Sequence, residues 1–178
     1  MRSYQRGIQK KDPDNITSDE VEQTVACLTE GLNCTQAILS TYGPQFGMEH
    51  KSAVKVAGAF GSGMGMGEMC GAVTGALMVI GLNHAKVRNP SFISKVRTRA
   101  IAQEFVKQFK ARNGATACKE LLNCDVNTSE GLKTAKYEKH FKKRCPKFVQ
   151  DAAEIWKRYW RESKNSKGKK ETLKESRA

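Results

Sequence analysis

Residues 70–82 read CGAVTGALMVIGL and decide the fold of this chain. A helix formed by this stretch would be apolar on nearly every side, so we expect it in the protein core. The stretch is too short to cross a bilayer, which needs about 20 residues. One side of the helix is narrow because it carries only small residues, Gly71, Ala72, Gly75 and Ala76. A neighbouring helix can therefore approach closely, either within one chain or across a homodimer.

The rest of the chain shows helical periodicity as well. Thr17 to Glu20 read as a capping box, with Thr at the cap and Glu three residues later, and they open a first helix. Further helices are expected over residues 34–42, 49–60, 92–113, 117–122 and 129–139, and from residue 145 onwards. No run shows the alternation of a β-strand. We therefore predict an all-α fold, a single compact helical domain of about six to seven helices.

Two of the long helices have apolar positions at helical spacing, which predicts their buried faces. For the helix over residues 92–113 the expected buried positions are Phe92, Val96, Ala100, Ile101, Phe105 and Phe109. For the final helix they are Val149, Ala152, Ala153, Trp156 and Trp160.

Composition divides the chain into three parts. We expect a flexible basic N-terminus over residues 1–15, a helical domain over 16–162 and a disordered, basic, lysine- and serine-rich tail over 163–178. Residues 1–11 lack the apolar stretch of a secretory signal. A cytoplasmic location without membrane association is the resulting expectation.

The net charge of +13 is unevenly distributed. Between residues 12 and 85, two lysines oppose eight acidic residues, which gives −6. Between residues 86 and 112, eight basic residues oppose one glutamate, which gives +7. Such a surface can attract nucleic acid or an acidic partner. Because aromatic residues are few and no nucleic-acid-binding motif is present, we favour a solvated basic face over a nucleic-acid site.

Six cysteines are many for a cytoplasmic protein of this size. A reducing compartment disfavours permanent disulfides, so we interpret the cysteines as more favourable to redox chemistry or metal binding. Four of the cysteines fall at or near predicted helix N-termini: Cys34, Cys70, Cys118 and Cys145. A thiol at such a position faces unpaired backbone N–H groups and the positive end of the helix dipole, which favour the thiolate. Cys27 lies inside the first helix and Cys124 in a loop.

Cys70 follows a glycine-rich loop over residues 61–67, GSGMGMG. The alternating glycines do not match the G-x-G-x-x-G pattern of dinucleotide sites, and we interpret the loop as a set of sharp turns around Cys70. Loop access and a helix start together make Cys70 our choice for an attacking thiolate. Glu68 would oppose the lowering of its pKa if the carboxylate lay close.

Several stretches in order resemble the C_GCAxxG_C_C family of redox-active proteins, named for recurring cysteines around a CGAxxG motif. They are Gly31–Cys34, the glycine loop, Cys70–Gly75, Cys118–Leu122 and Cys145–Pro146. The resemblance covers about Glu30 to Trp156 and places its four recurring cysteines on Cys34, Cys70, Cys118 and Cys145. It implies a helical protein with thiol redox or metal chemistry. It supplies no substrate and no redox partner.

Two mechanisms remain open for these four cysteines. In the first, two thiols cycle between dithiol and disulfide, one attacking and one resolving. In the second, Cys34, Cys70, Cys118 and Cys145 bind zinc or an iron–sulfur cluster. The wide gaps between them lack the paired Cys-x-x-Cys spacing usual at such metal sites. A third interpretation, from another class, is an interaction protein whose basic surface binds an acidic partner.

Overall fold

A computed structural model describes the backbone of residues 18–86, 88–89 and 91–175. Within these residues the structure is helical without strands, which confirms the all-α prediction, and seven helices have seven residues or more. The helices are α1 (Ser18–Thr29), α2 (Cys34–Tyr42), α3 (His50–Val56), α4 (Gly71–His84), α5 (Phe92–Asn113), α6 (Cys118–Leu122), α7 (Ser129–Tyr137), α8 (His140–Lys143) and α9 (Cys145–Glu175). Short helical turns at Gly43–Phe46, Ala57–Phe60 and Gly63–Gly67 connect some of them.

Of the two end segments predicted from the sequence, only the C-terminal one lies largely within the described residues. The N-terminal segment 1–15 and the Thr17 cap lie outside the described residues. At the other end the backbone is helical through Glu175, and the division of the chain at residue 163 stays a prediction. Lysine and glutamate are good helix formers, so a helix that is already anchored at its start can extend into this polar segment.

The centre of the fold is α4, and α2 packs directly against it. A Cβ atom on Gly75 would lie 2.9 Å from the Ile38 Cβ and 3.0 Å from the Thr35 carbonyl oxygen. A Cβ on Gly71 would lie 2.7 Å from the Thr35 hydroxyl oxygen. These distances are shorter than van der Waals contact, so only glycine permits this separation of the two helices. The narrow side of α4 therefore faces another helix of the same chain.

The inner face of α9 covers the other side of the core. Its five predicted positions are all buried: Val149, Ala152, Ala153, Trp156 and Trp160. Phe46 contacts both tryptophans edge to face, with ring centroids 6.0 Å from Trp156 and 5.2 Å from Trp160. Aromatic pairs of this geometry add to the free energy gained by burial alone. This cluster fixes α9 against the turn that follows α2.

The predicted buried stripe of α5 is wrong over its first half. Phe105 and Phe109 are fully buried, but Phe92 and Val96 are 80% and 48% exposed. The early turns of the helix extend along the surface, and Ser94 and Thr98 are the partly covered positions there. Periodicity predicts which residues share a face but not how far along the helix a neighbour covers that face.

The binding of an acidic partner by the basic surface stays a prediction.

Within the described residues, no helix is both long enough and apolar enough to cross a membrane.

The close contact between α2 and α4 can be tested with two alanine substitutions in α4. Gly75→Ala should lower the free energy of unfolding by about 1–3 kcal/mol, because the new methyl group overpacks against α2. Gly81→Ala is the matched control, since a Cβ there meets nothing within 4 Å. It should be neutral or stabilise by about 0.5–1 kcal/mol, because alanine is the better helix former. Urea unfolding of both variants measures the difference, and equal effects would contradict this packing.

Candidate functional site

Cys34 is the first residue of α2, and its position is fixed by a complete helix cap. The Asn33 side chain accepts from the Gln36 backbone N–H at 2.9 Å, and the Gln36 side chain accepts from the Asn33 N–H at 2.9 Å. Next to it, the Thr35 hydroxyl lies 3.0 Å from the carbonyl oxygens of Phe60 and Gly71. Thr35 thereby ties the start of α2 to the glycine loop and to the start of α4.

Cys70 and Cys118 are held together by a short backbone bridge. The Cys70 N–H donates to the Thr116 carbonyl at 2.8 Å, and the Cys118 N–H donates to the Glu68 carbonyl at 2.6 Å. Beside the bridge, the Lys119 ammonium lies 2.8 Å from the Glu68 carboxylate. The bridge aligns two helix starts, because Cys70 caps α4 and Cys118 is the first residue of α6.

The glycine loop supplies the sharp turns that this arrangement requires. Gly63 has a φ of +63°, and a Cβ there would lie 2.5 Å from the Glu68 backbone nitrogen. Ser62 and Met64 also have positive φ values, 53° and 60°. The chain therefore folds back tightly just before the bridge, as the interpretation of the loop expected.

Arg144 connects α6 to the start of α9. Its guanidinium donates to the carbonyl oxygen of Leu122 at 3.0 Å and lies 3.5 Å from that of Leu121. These are carbonyls at the end of α6, where no helical N–H remains to pair with them. Cys145 follows directly as the first residue of α9. The short helix that begins at Cys118 thus contacts the residue directly before Cys145.

The result is a pocket of about 480 Å³ bordered by all four of these cysteines: Cys34, Cys70, Cys118 and Cys145. Each stands at the N-terminal end of a helix, as the sequence predicted. Cys70, Cys118 and Cys145 are buried, and Cys34 is partly buried. All six cysteines of the chain are in the free thiol form.

Two of the four thiols interact with each other. Hydrogen bonding between the Cys34 and Cys145 side chains raises the pKa of Cys34 well above its usual value and lowers that of Cys145. The pair therefore shares its first ionisation, in which the remaining thiol stabilises the thiolate. Burial opposes ionisation at both residues.

The pKa values of Cys70 and Cys118 are both raised, unlike that of Cys145. Burial raises the pKa of Cys70 to about 11, although the backbone N–H groups of Ala72 and Val73 lower it. Burial, together with the nearby Cys70, Cys145 and Cys124 sulfurs, raises the pKa of Cys118 to about 12. The expected lowering of the Cys70 pKa by its helix is therefore corrected: the helix acts in the expected sense, and desolvation outweighs it.

The remaining two cysteines lie outside the pocket. Cys27 is buried in α1, where its sulfur lies 4.0 Å from the Thr41 hydroxyl oxygen. Cys124 is partly buried in the loop after α6. Burial and the neighbouring Glu138 carboxylate raise the pKa of Cys124. Neither borders the pocket.

The sulfurs that border the pocket are not arranged as a ready-made metal site. Across residues 18–86, 88–89 and 91–175, no three Cys, His, Asp or Glu side chains converge as a ligand set for a metal ion. Zinc or an iron–sulfur cluster needs its thiolate ligands close together in a defined geometry. Binding of zinc or an iron–sulfur cluster by these four cysteines stays a prediction.

Sequence reasoning missed the residues that complete the pocket wall next to Cys145. Phe141 and Lys142 of α8 border the pocket, and so does Phe148 in the first turns of α9. The stretch before Cys145 is polar and weakly patterned, so it predicted no element there. One signal was present, since Phe141 is an isolated aromatic residue in the basic run KHFKKR at 139–144.

The comparisons with known proteins point to one family. Neither a curated protein nor a solved structure matches this chain. A family model described as "Putative redox-active protein (C_GCAxxG_C_C)" matches residues 32–159, which include all four pocket cysteines and well over half of the sequence. The chain therefore belongs to the C_GCAxxG_C_C family of redox-active proteins.

Proposed function

We propose that this protein is a thiol–disulfide redox protein in which Cys145 attacks and Cys34 resolves. The observation that carries the proposal is that Cys34 and Cys145 border one pocket, and the interaction between the two thiols, which lowers the pKa of Cys145, supports it. A thiolate is the attacking form in thiol–disulfide exchange, and Cys145 is the pocket thiol with a lowered pKa. The start of α9 adds the favourable end of a helix dipole.

The reaction balances with a disulfide as the oxidant. The Cys145 thiolate attacks one sulfur of a substrate disulfide, forms a mixed disulfide and releases the first substrate thiolate. Cys34 then loses its proton and attacks the Cys145 sulfur, which forms the Cys34–Cys145 disulfide and releases the second substrate thiolate. The proton from Cys34 passes to a released thiolate. The substrate is reduced to one thiol and one thiolate, which takes up a proton from water according to its own pKa, and an external dithiol must reduce the protein again.

Cys70 and Cys118 have a different part in this scheme. Their raised pKa values keep them protonated at neutral pH, so they do not compete with Cys145 for the substrate. Cys145 is chosen instead of Cys70 as the attacking thiolate because both thiols are buried but only Cys145 interacts with Cys34, which lowers its pKa. Binding of zinc or an iron–sulfur cluster by the same four cysteines is the competing mechanism, and the experiments below separate the two.

The first experiment measures which thiol ionises first. Alkylation of the reduced protein with iodoacetamide should modify Cys145 at lower pH than Cys70 or Cys118, because the thiolate fraction rises with pH through each pKa. Cys34→Ala should move the Cys145 midpoint upward by roughly one pH unit, since a hydrogen bond to a charged group contributes about 1.5–3 kcal/mol. Peptide mass spectrometry at each pH reports the individual rates.

Cys118→Ala is the matched control, because it removes a pocket thiol that does not hydrogen-bond to Cys145. It should leave the Cys145 midpoint where it is in the unmodified protein. Equal shifts in the two variants, or a Cys70 that reacts first, would contradict the assignment of Cys145.

The second experiment identifies the disulfide. Oxidation of the reduced protein with a small disulfide should consume two thiols and yield a Cys34–Cys145 cross-link in the peptide map. Cys34→Ser should stop at a mixed disulfide on Cys145, and Cys145→Ser should form no cross-link in the pocket. Cys124→Ser, outside the pocket, should behave like the unmodified protein.

Metal analysis of anaerobically purified protein completes this test. One zinc ion per chain, or visible absorbance typical of an iron–sulfur cluster, would overturn the dithiol mechanism. A cross-link between a different pair of pocket cysteines would overturn the assignment of Cys34 as the resolving thiol.

A further inference from the structure

The pocket beside Cys145 has the size of a small-molecule site. Its volume of about 480 Å³ lies within the range of roughly 300–1,000 Å³ typical of ligand pockets. Most of the wall is apolar and comes from four parts of the chain. The apolar side chains are Leu28, Leu32, Leu121, Leu122, Phe141 and Phe148. A pocket of this kind favours a compact apolar molecule over an extended polar one.

One cationic side chain borders the pocket. Among the described residues of its wall, Lys142 is the only charged side chain apart from the proposed Cys145 thiolate, and no carboxylate is present. Within the described part of the chain, Lys142 forms no ion pair, unlike Lys119 and Lys147, which pair with Glu68 and Asp151. Its ammonium is thus available to a ligand at the edge of the pocket.

The surroundings strengthen this positive potential. Lys142 belongs to the basic run 139–144, in which Lys139, Lys143 and Arg144 are further cations. The N-terminal ends of α2, α4 and α9 also reach the pocket, and each contributes a partial positive charge. A negative group on a ligand is therefore favoured at this edge, while the apolar wall takes the rest of the molecule.

We propose that the substrate of this pocket is a small, mainly apolar disulfide that carries an acidic group, with that group at Lys142 and its apolar part against the leucines and phenylalanines. The inference rests on the proposed thiol–disulfide function and adds the substrate class to it. Lys142 acts as a specificity-determining residue, because it contacts the substrate without taking part in exchange.

Two aromatic disulfides test the charge preference. Dithiobis(nitrobenzoate) carries a carboxylate on each half, and dithiodipyridine is uncharged near pH 8. Their rates with the reduced protein are measured in a Cys124→Ser background, which removes the partly buried thiol outside the pocket. The readout is the ratio of the two rates, so that intrinsic differences between the probes cancel when variants are compared.

At low ionic strength, Lys142→Ala should lower the ratio of charged to neutral rate by about threefold, and Lys142→Glu by about tenfold. Lys136→Ala is the matched control, an exposed lysine of α7 that does not border the pocket. It should leave the ratio unchanged. The effect should also disappear near 1 M salt, where the Debye length falls to about 3 Å. A ratio that is the same in all variants would overturn the inference.

A binding measurement keeps this result separate from the redox proposal. Naphthoate, which cannot exchange disulfides, should protect Cys145 from iodoacetamide better than uncharged naphthamide does, and Lys142→Ala should remove that difference. If protection follows charge but no Cys34–Cys145 disulfide forms, the acidic, apolar ligand class stands and the exchange chemistry fails. If the disulfide forms but neither charge nor Lys142 affects protection, the substrate class fails and the exchange chemistry stands.

Discussion

The close approach of α2 and α4 is the constraint on which the rest of the structure depends. Gly71 and Gly75 leave no Cβ atoms between the helices, and the Thr35 hydroxyl sits against the backbone at the start of α4. Any larger residue at Gly71 would push α4 away from Cys34, whose Cβ lies 3.1 Å from the position of the missing side chain. The glycines therefore serve the fold and the site through the same contact.

The four pocket thiols show how two opposing effects determine cysteine chemistry. All four stand at helix starts, where backbone N–H groups favour the thiolate. Burial favours the thiol and can raise a pKa by roughly 3–5 units when it is complete. At Cys70 the burial effect is larger, and the pKa rises to about 11. Cys145 is also buried, but its interaction with Cys34 lowers its pKa. In the proposed mechanism the partner thiol, and not the helix, therefore selects the attacking cysteine.

Much of the fold was predictable because local signals determine it. Helix starts depend on local residues: the side chains of Asn33 and Ser91 accept hydrogen bonds from backbone N–H groups at the starts of α2 and α5. The inner face of α9 follows from spacing alone. The exposed half of α5 was not predictable, because a periodic pattern does not show how many turns of a helix its neighbours bury. Phe92 fits the stripe as well as Phe105 does, yet only Phe105 meets the core.

For the site, too, local features were predictable from the sequence and tertiary ones were not. The cysteines at helix starts were visible in the sequence, since a helix start is a local property. The pairing of Cys34 with Cys145 was not, because 110 intervening residues bring these thiols together only through tertiary contacts. The same holds for the pKa of Cys70, which depends on burial by distant segments. Local structure could thus indicate which residues share a chemistry, but not which of them is reactive.

A pocket with four thiols needs a way to prevent the wrong pairs from forming. In the proposed mechanism the apolar wall supplies it, because burial raises the pKa values of Cys70 and Cys118 while the interaction with Cys34 lowers that of Cys145. A second thiolate in the same pocket would also be repelled by the first: besides burial, the neighbouring Cys70 and Cys145 sulfurs raise the pKa of Cys118. In the proposed mechanism, the wall that would bind an apolar substrate is the same feature that restricts attack to a single sulfur. Polar substitutions in this wall would weaken both properties together.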